Sequence, residues 1–213
     1  MTKQHRYKLT DQDTQTHDST QWKVGEWKET SGEGQLCTKG WLHCYCNPLL
    51  AVLHNPIHAD ILTPQLWRVE VSGKCLRDGD IKEGWTRMRL IEIIKLPRPT
   101  REQKIAYSIL CALEVSEKIK FITWANRWLD GTDRSYSTAC DIAYAADPID
   151  TTATFAAADA IAYATADAAA SAAVYTATDA ATYTAAYATA YAAATRKKSL
   201  NLVHIAEKAV SLY

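Results

Sequence analysis

LWRVEVSG, residues 66–73, decides the front half of the fold. Trp67, Val69 and Val71 alternate with Leu66, Arg68, Glu70 and Ser72. Such alternation predicts a half-buried strand, here ended by Gly73. KCLRDGDI (74–81) follows as a hairpin through Asp78-Gly79. WTRMRLIEIIKL (85–96) then alternates again, until Pro97 and Pro99 forbid further pairing. Upstream, YKL (7–9) reads as a short first strand and DQDTQTHDST (11–20) as loop. TSGEGQ (30–35) is a turn, and LCTKGWLHCYC (36–46) a strand or hairpin bounded by turn residues. PLLAVLH (48–54) predicts a short helix with Pro48 in its first turn, stopping before Asn55-Pro56.

Behind this β-rich front the period changes from two to about 3.6 residues. Thr100 and Gln103 form a capping-box signature. Ile105, Ile109, Leu110, Leu113 and Val115 give an apolar stripe. FITWANRWLD (121–130) predicts a second helix ended by Gly131, and residues 135–146 a third. Asp147-Pro148 caps a further start, and residues 199–212 form a terminal amphipathic helix. The expected fold class is therefore α+β: a small β-rich N-terminal domain followed by an α-helical, alanine-rich C-terminal half. The expected divisions are 1–98 (β-rich, with a short helix), 99–148 (helical) and 149–213 (alanine-rich region and terminal helix).

The tract at 151–195 is about half alanine, with no Gly, Pro, Lys or Arg. Alanine favours helix because it loses no side-chain entropy there. At about 100° per residue the bulky side chains of this tract, including Tyr163, Tyr175, Tyr183, Tyr187 and Tyr191, surround a single straight helix. That pattern predicts packing on several sides, including self-association into a homo-oligomer, or a break near residues 176–184. Thr154, Thr165 and Thr176 recur every eleven residues, a spacing that keeps them nearly aligned. In this the tract resembles the alanine-rich helical antifreeze proteins, although Tyr187 takes the next register position. A linker or stalk is the third reading.

The 24 basic and 24 acidic residues balance, but unevenly. Residues 135–195 carry six Asp and no basic group, whereas 196–213 and 1–134 are each +3. No region is basic enough to predict a nucleic-acid surface. No window holds about 18 strongly apolar residues, so no membrane span is expected. The polar N-terminus has no apolar segment of the signal-peptide kind. With it, the six cysteines read as reduced thiols of a cytoplasmic protein.

Cys37, His43, Cys44, Cys46, His54 and His58 are zinc-ligand residue types, but C-x6-C-x-C fits no common finger spacing. Cys44 with His58 is a thiol–imidazole combination that no local context selects. No glycine loop sits between a strand and a helix to cradle phosphates. No catalytic residue, metal or cofactor is assigned. The front domain's aromatic density is more suggestive, because flat rings stack on bases and sugars. Trp41, His43, Tyr45, Trp67, Arg68, Trp85 and Arg87 form the candidate ligand-binding set, the arginines meeting a phosphate or carboxylate.

Gly40, Trp41, His43, Pro48 and Leu49, followed by Trp67, Val69, Glu70, Val71 and Gly73, carry a resemblance. The chain is similar over residues 7–146 to a family of uncharacterised bacteriophage and bacterial proteins that end in an alanine-rich tail. The resemblance implies a phage or phage-like accessory gene and brings no established activity. The order of strands is also loosely similar to ADP-ribosyltransferase-like folds, which need a catalytic Glu; Glu70 and Glu92 are the acids well placed on strands, and neither sits in a matching motif. The leading expectation is a non-enzymatic binding protein, with counter-defence by capture of a host protein or a nucleotide signal. The alternatives are a nucleotide- or NAD-acting enzyme and a self-assembling or ice-binding structural protein.

Overall fold

The structure, a computed structural model, describes residues 5–79, 82–114, 116–145 and 200–213. The chain divides into two compact units, Met1–Arg98 and Pro99–Tyr213. The alanine-rich tract lies outside the described residues, and with it Tyr163, Tyr175, Tyr183, Tyr187, Tyr191 and Asp147-Pro148.

The first unit is β-rich. Its frame is the antiparallel hairpin of β6 (Gln65–Asp78) and β7 (Lys82–Ile94). β1 (Arg6–Thr10) pairs with β6, and the short β4 (Lys28–Glu29) and β5 (Leu42–Cys44) both pair with β7. A separate two-stranded ribbon joins β2 (Gln15–Thr16) to β3 (Thr20–Gln21). The alternation read at 67, 69 and 71 is the buried face. Trp67 and Val69 join Trp22, Leu42, Cys44, Met88 and Leu90 in one cluster, with Val71 and Trp85 packed on it. Burying each large apolar side chain stabilises the unit by about 1.5–3 kcal/mol.

Four expectations change. DQDTQTHDST is not all loop, since it holds β2 and the start of β3. Gly73 does not end its strand. β6 continues to Asp78 through a bulge between Ser72 and Cys75, where Gly73 takes φ +88° and lets its neighbours pair on either side. Of LCTKGWLHCYC only Leu42–Cys44 is strand. Helix also resumes at Asn55: α1 (Pro48–Leu53), capped by the Asn47 side chain on Leu49 N, is followed at once by α2 (Asn55–His58). Pro56 lies in the first turn of α2, where its missing N–H costs nothing.

The second unit is helical where described: α3 (Arg101–Leu113), α4 (Ile119–Leu129), α5 (Tyr136–Ala145) and α6 (Leu202–Ser211). Thr100 and Gln103 close the capping box on α3 in both directions. The expected apolar stripe of α3 is wider than its spacing suggested, since every residue from Ile105 to Ala112 is buried. α6 packs on α3, where Gln103 Nε2 donates to the Val210 carbonyl at 2.9 Å. α4 buries Phe121, Trp124, Ala125 and Trp128. Arg134 lies 4.8 Å from the ring centroids of both Trp128 and Tyr213. Among the described residues no helix is long and apolar enough to cross a membrane.

Candidate functional site

At the turn end of the β6–β7 hairpin, a cleft of about 350 Å³ is lined by His5, Arg6, Cys46, Arg77, Gly79, Lys82 and Glu83. The strand register assembles it. β1 brings Arg6, β6 brings Arg77 directly opposite Glu83 of β7, and Cys46 lies two residues beyond β5. Gly79, with φ +49°, contributes bare backbone to the wall, and a Cβ there would meet nothing within 4 Å.

Glu83 is the organising group. It is 5% exposed and accepts from Arg6 through both carboxylate oxygens, from Nε on Oε2 and from Nη2 on Oε1. Arg77 Nε pairs with Oε1 at 3.1 Å, and Trp85 Nε1 donates to Oε2 at 2.8 Å. Burial works against the Arg6 charge, but the Glu83 carboxylate outweighs it and holds the guanidinium above its ordinary value. Among the described lining residues three cationic side chains thus accompany one carboxylate, a formal +2 with His5 taken as neutral.

Nearby imidazoles add nothing to this charge at neutral pH. Burial, followed by the Lys82 ammonium, pushes His58 down to about 3. Burial also lowers His43, against the pull of its hydrogen bond to the Leu36 carbonyl, and Lys8 and Lys82 lower it further. Lys82 reaches out of the cleft as well, donating to the exposed Cys37 Sγ at 3.0 Å. Lys8, two residues from Arg6 on the same strand, donates to the His43 carbonyl at 2.8 Å and sits 4.7 Å from the Trp22 ring. Burial lowers its ammonium to about 8.

None of the seven residues singled out from sequence lines this cleft. Trp67 lies in the core and donates through Nε1 to Thr10 Oγ1 at 2.9 Å. Trp41 is buried and donates to the Gly34 carbonyl. The buried Tyr45 hydroxyl is 3.0 Å from His58 Nδ1. Arg68 pairs with Glu92 and Arg87 with Glu29, each at 2.7 Å, and Arg87 also stacks on Trp27. Trp85 is the one that touches the site, from behind Glu83. Among the described residues no group of three or more His, Cys, Asp or Glu side chains is placed to hold a metal ion.

Arg6, Arg77, Lys82 and Glu83 were missed because the pair at the centre of the site is 77 positions apart in the chain. The available signal was HRYKL (5–9), where Arg6 and Lys8 alternate with Tyr7 and Leu9 on a strand.

Residues 5–102 match the model of a family described as "Domain of unknown function (DUF7666)". The match contains every residue of the cleft. No curated protein and no solved structure matches the chain.

Proposed function

We propose that this chain is a non-enzymatic binding protein whose first unit captures a small anionic ligand, with a nucleotide signal as the leading candidate. The observation that supports the reading is the charge of the cleft. Among the described lining residues the one carboxylate is engaged by Arg6, Arg77 and Trp85, which leaves a cationic excess. Cationic side chains preset in a partly desolvated wall favour an anion more strongly than the same groups in water. A phage-encoded accessory gene acting in counter-defence is the setting we infer for such capture.

A second reading, an enzyme acting on the same nucleotide, draws on Cys46 and His5, a nucleophile and a base type in the same cleft. One experiment separates the two. The full chain is incubated with a nucleotide panel, desalted and denatured, and the released ligand is identified. Recovery of unchanged nucleotide supports capture, while a converted product establishes the enzyme. Self-association through the alanine- and tyrosine-rich region is a separate proposal, and a strictly monomeric mass in light scattering would end it.

A further inference from the structure

We propose that the cleft recognises a phosphate dianion, the terminal phosphate of a monoester or a pyrophosphate group, in preference to a phosphodiester and without reading a base. The inference rests on the reading that this cleft is the ligand site.

Charge is the first argument. Arg6, Arg77 and Lys82 exceed Glu83 by two formal charges. A terminal phosphate monoester carries about −1.5 to −2 near neutral pH and matches that excess. A phosphodiester group carries a single negative charge and leaves the cleft under-neutralised.

Geometry is the second. Guanidinium groups present planar forks of donors suited to phosphate oxygens, and a lysine ammonium acts on them as a point charge. Arg6 acts on the ligand through its charge rather than its fork: it is 6% exposed, clamped on both oxygens of Glu83 and donating through Nη1 to the His5 carbonyl. Arg77 is held against the same carboxylate from the opposite strand. The exposed Gly79 backbone lets an oxyanion approach from the hairpin turn.

The lining chemistry is the third. Among the described lining residues the one ring is the His5 imidazole and none is aliphatic, and Trp41, Trp67 and Trp85 are spent on core packing or on Glu83. A base would find no indole or phenyl ring to stack on. A volume of about 350 Å³ lies at the lower end of ligand cavities, enough for a phosphate and a short appendage.

The test is calorimetric titration of the full chain at low ionic strength. The probes are inorganic pyrophosphate, adenosine 5′-monophosphate, adenosine 3′,5′-cyclic monophosphate and adenosine. Pyrophosphate and the 5′-monophosphate are expected to bind within a few-fold of each other. The cyclic diester should bind about tenfold more weakly, and adenosine should not bind. Arg77→Ala and Lys82→Ala should each weaken pyrophosphate about tenfold. Equal affinity for the monoester and the cyclic diester overturns the dianion claim, and binding of adenosine overturns the claim that no base is read. Undiminished pyrophosphate affinity in both variants places the anion elsewhere and overturns the assignment to this cleft. If neither phosphate probe nor any member of the nucleotide panel binds the parent chain, the capture reading itself falls. If nucleotides bind without this preference, only the present inference falls.

Discussion

The two ends of the β6–β7 hairpin use the same residue types to opposite effect. Towards the strand ends away from the turn, Arg68 faces Glu92, Arg89 faces Glu70 and Arg87 faces Glu29, so each guanidinium has its own carboxylate. Trp27 lies between the last two arginines, 4.8 Å from Arg87 and 4.7 Å from Arg89. At the turn end, Arg6 and Arg77 share Glu83, and Lys82 lines the same cleft. The matched ladder is a partly solvated face with its charge cancelled in place, and exposed pairs of this kind contribute little to stability. The unmatched end is buried at its centre and cationic at its rim. What separates an ordinary charged sheet face from a candidate site is therefore the ratio of cations to carboxylates, with burial of the one carboxylate that the two arginines share.

The sharpest way to break this comparison is to remove one acid from each end. Glu83→Ala strands the buried Arg6 charge and should lower unfolding free energy by about 3–5 kcal/mol in urea denaturation. Glu92→Ala, whose partner is partly solvated, should cost about 1 kcal/mol or less. Equal costs would mean that the two ends do not differ in kind.

Lys8 extends the argument to a buried cation held by a backbone carbonyl and an indole ring. Its ammonium lies at about 8 in the folded chain against 10.5 as the ordinary value, with burial as the main cause and Lys28 adding to it. Between these values the unfolded chain binds the extra proton, so this group's contribution to stability rises with pH from about 8 to 10.5. Below that window the penalty is fully present, on the order of 3 kcal/mol. Lys8→Met should remove this slope, read as the difference between parent and variant stability curves. Taking the difference cancels Cys111, whose thiol burial raises far above 9.0 and which acts in the opposite direction; both curves are measured in a Cys44→Ala background, because Cys44 interacts with Lys8.

A smaller effect is expected at the bulge that separates the two ends. Gly73→Ala must hold φ near +88° and place a Cβ 2.1 Å from Thr86 Oγ1. A loss of about 1–3 kcal/mol follows, measurable as a shift in the urea midpoint. Smallest of all should be the stability cost of Arg77→Ala, about 1 kcal/mol or less because that side chain is more than half exposed. Its weakened pyrophosphate binding would then be a binding effect, and Arg68→Ala at the other end should change that binding by less than about twofold.

Much of the frame was legible in local sequence. Alternation at Trp67, Val69 and Val71, Pro48 at a helix start, and the Thr100–Gln103 box each act within a few residues and override little. The candidate site was not, because its meaning lies in pairing. Glu83 beside Gly84 and Trp85 looks like any strand acid until β1 lays Arg6 against it. Gly73 was read as a stop because a glycine that ends a strand and one that makes a bulge look alike in sequence. The aromatic residues were correctly seen as dense, and in the structure their rings mostly build the wall and core behind the cleft.

That bulge also acts as a frameshift in the hairpin. From Val69 to Ser72 the partners follow one register, Ser72 opposite Arg87. Past Gly73 they follow another, Cys75 opposite Trp85 and Arg77 opposite Glu83. Continued without the slip, the first register would set Leu76 opposite Glu83. The extra residue therefore carries Arg77 rather than Leu76 to the rim of the cleft: a chain of unchanged length paired without the slip would set leucine there, whereas deleting one residue at the bulge would straighten the strand and keep Arg77 opposite Glu83.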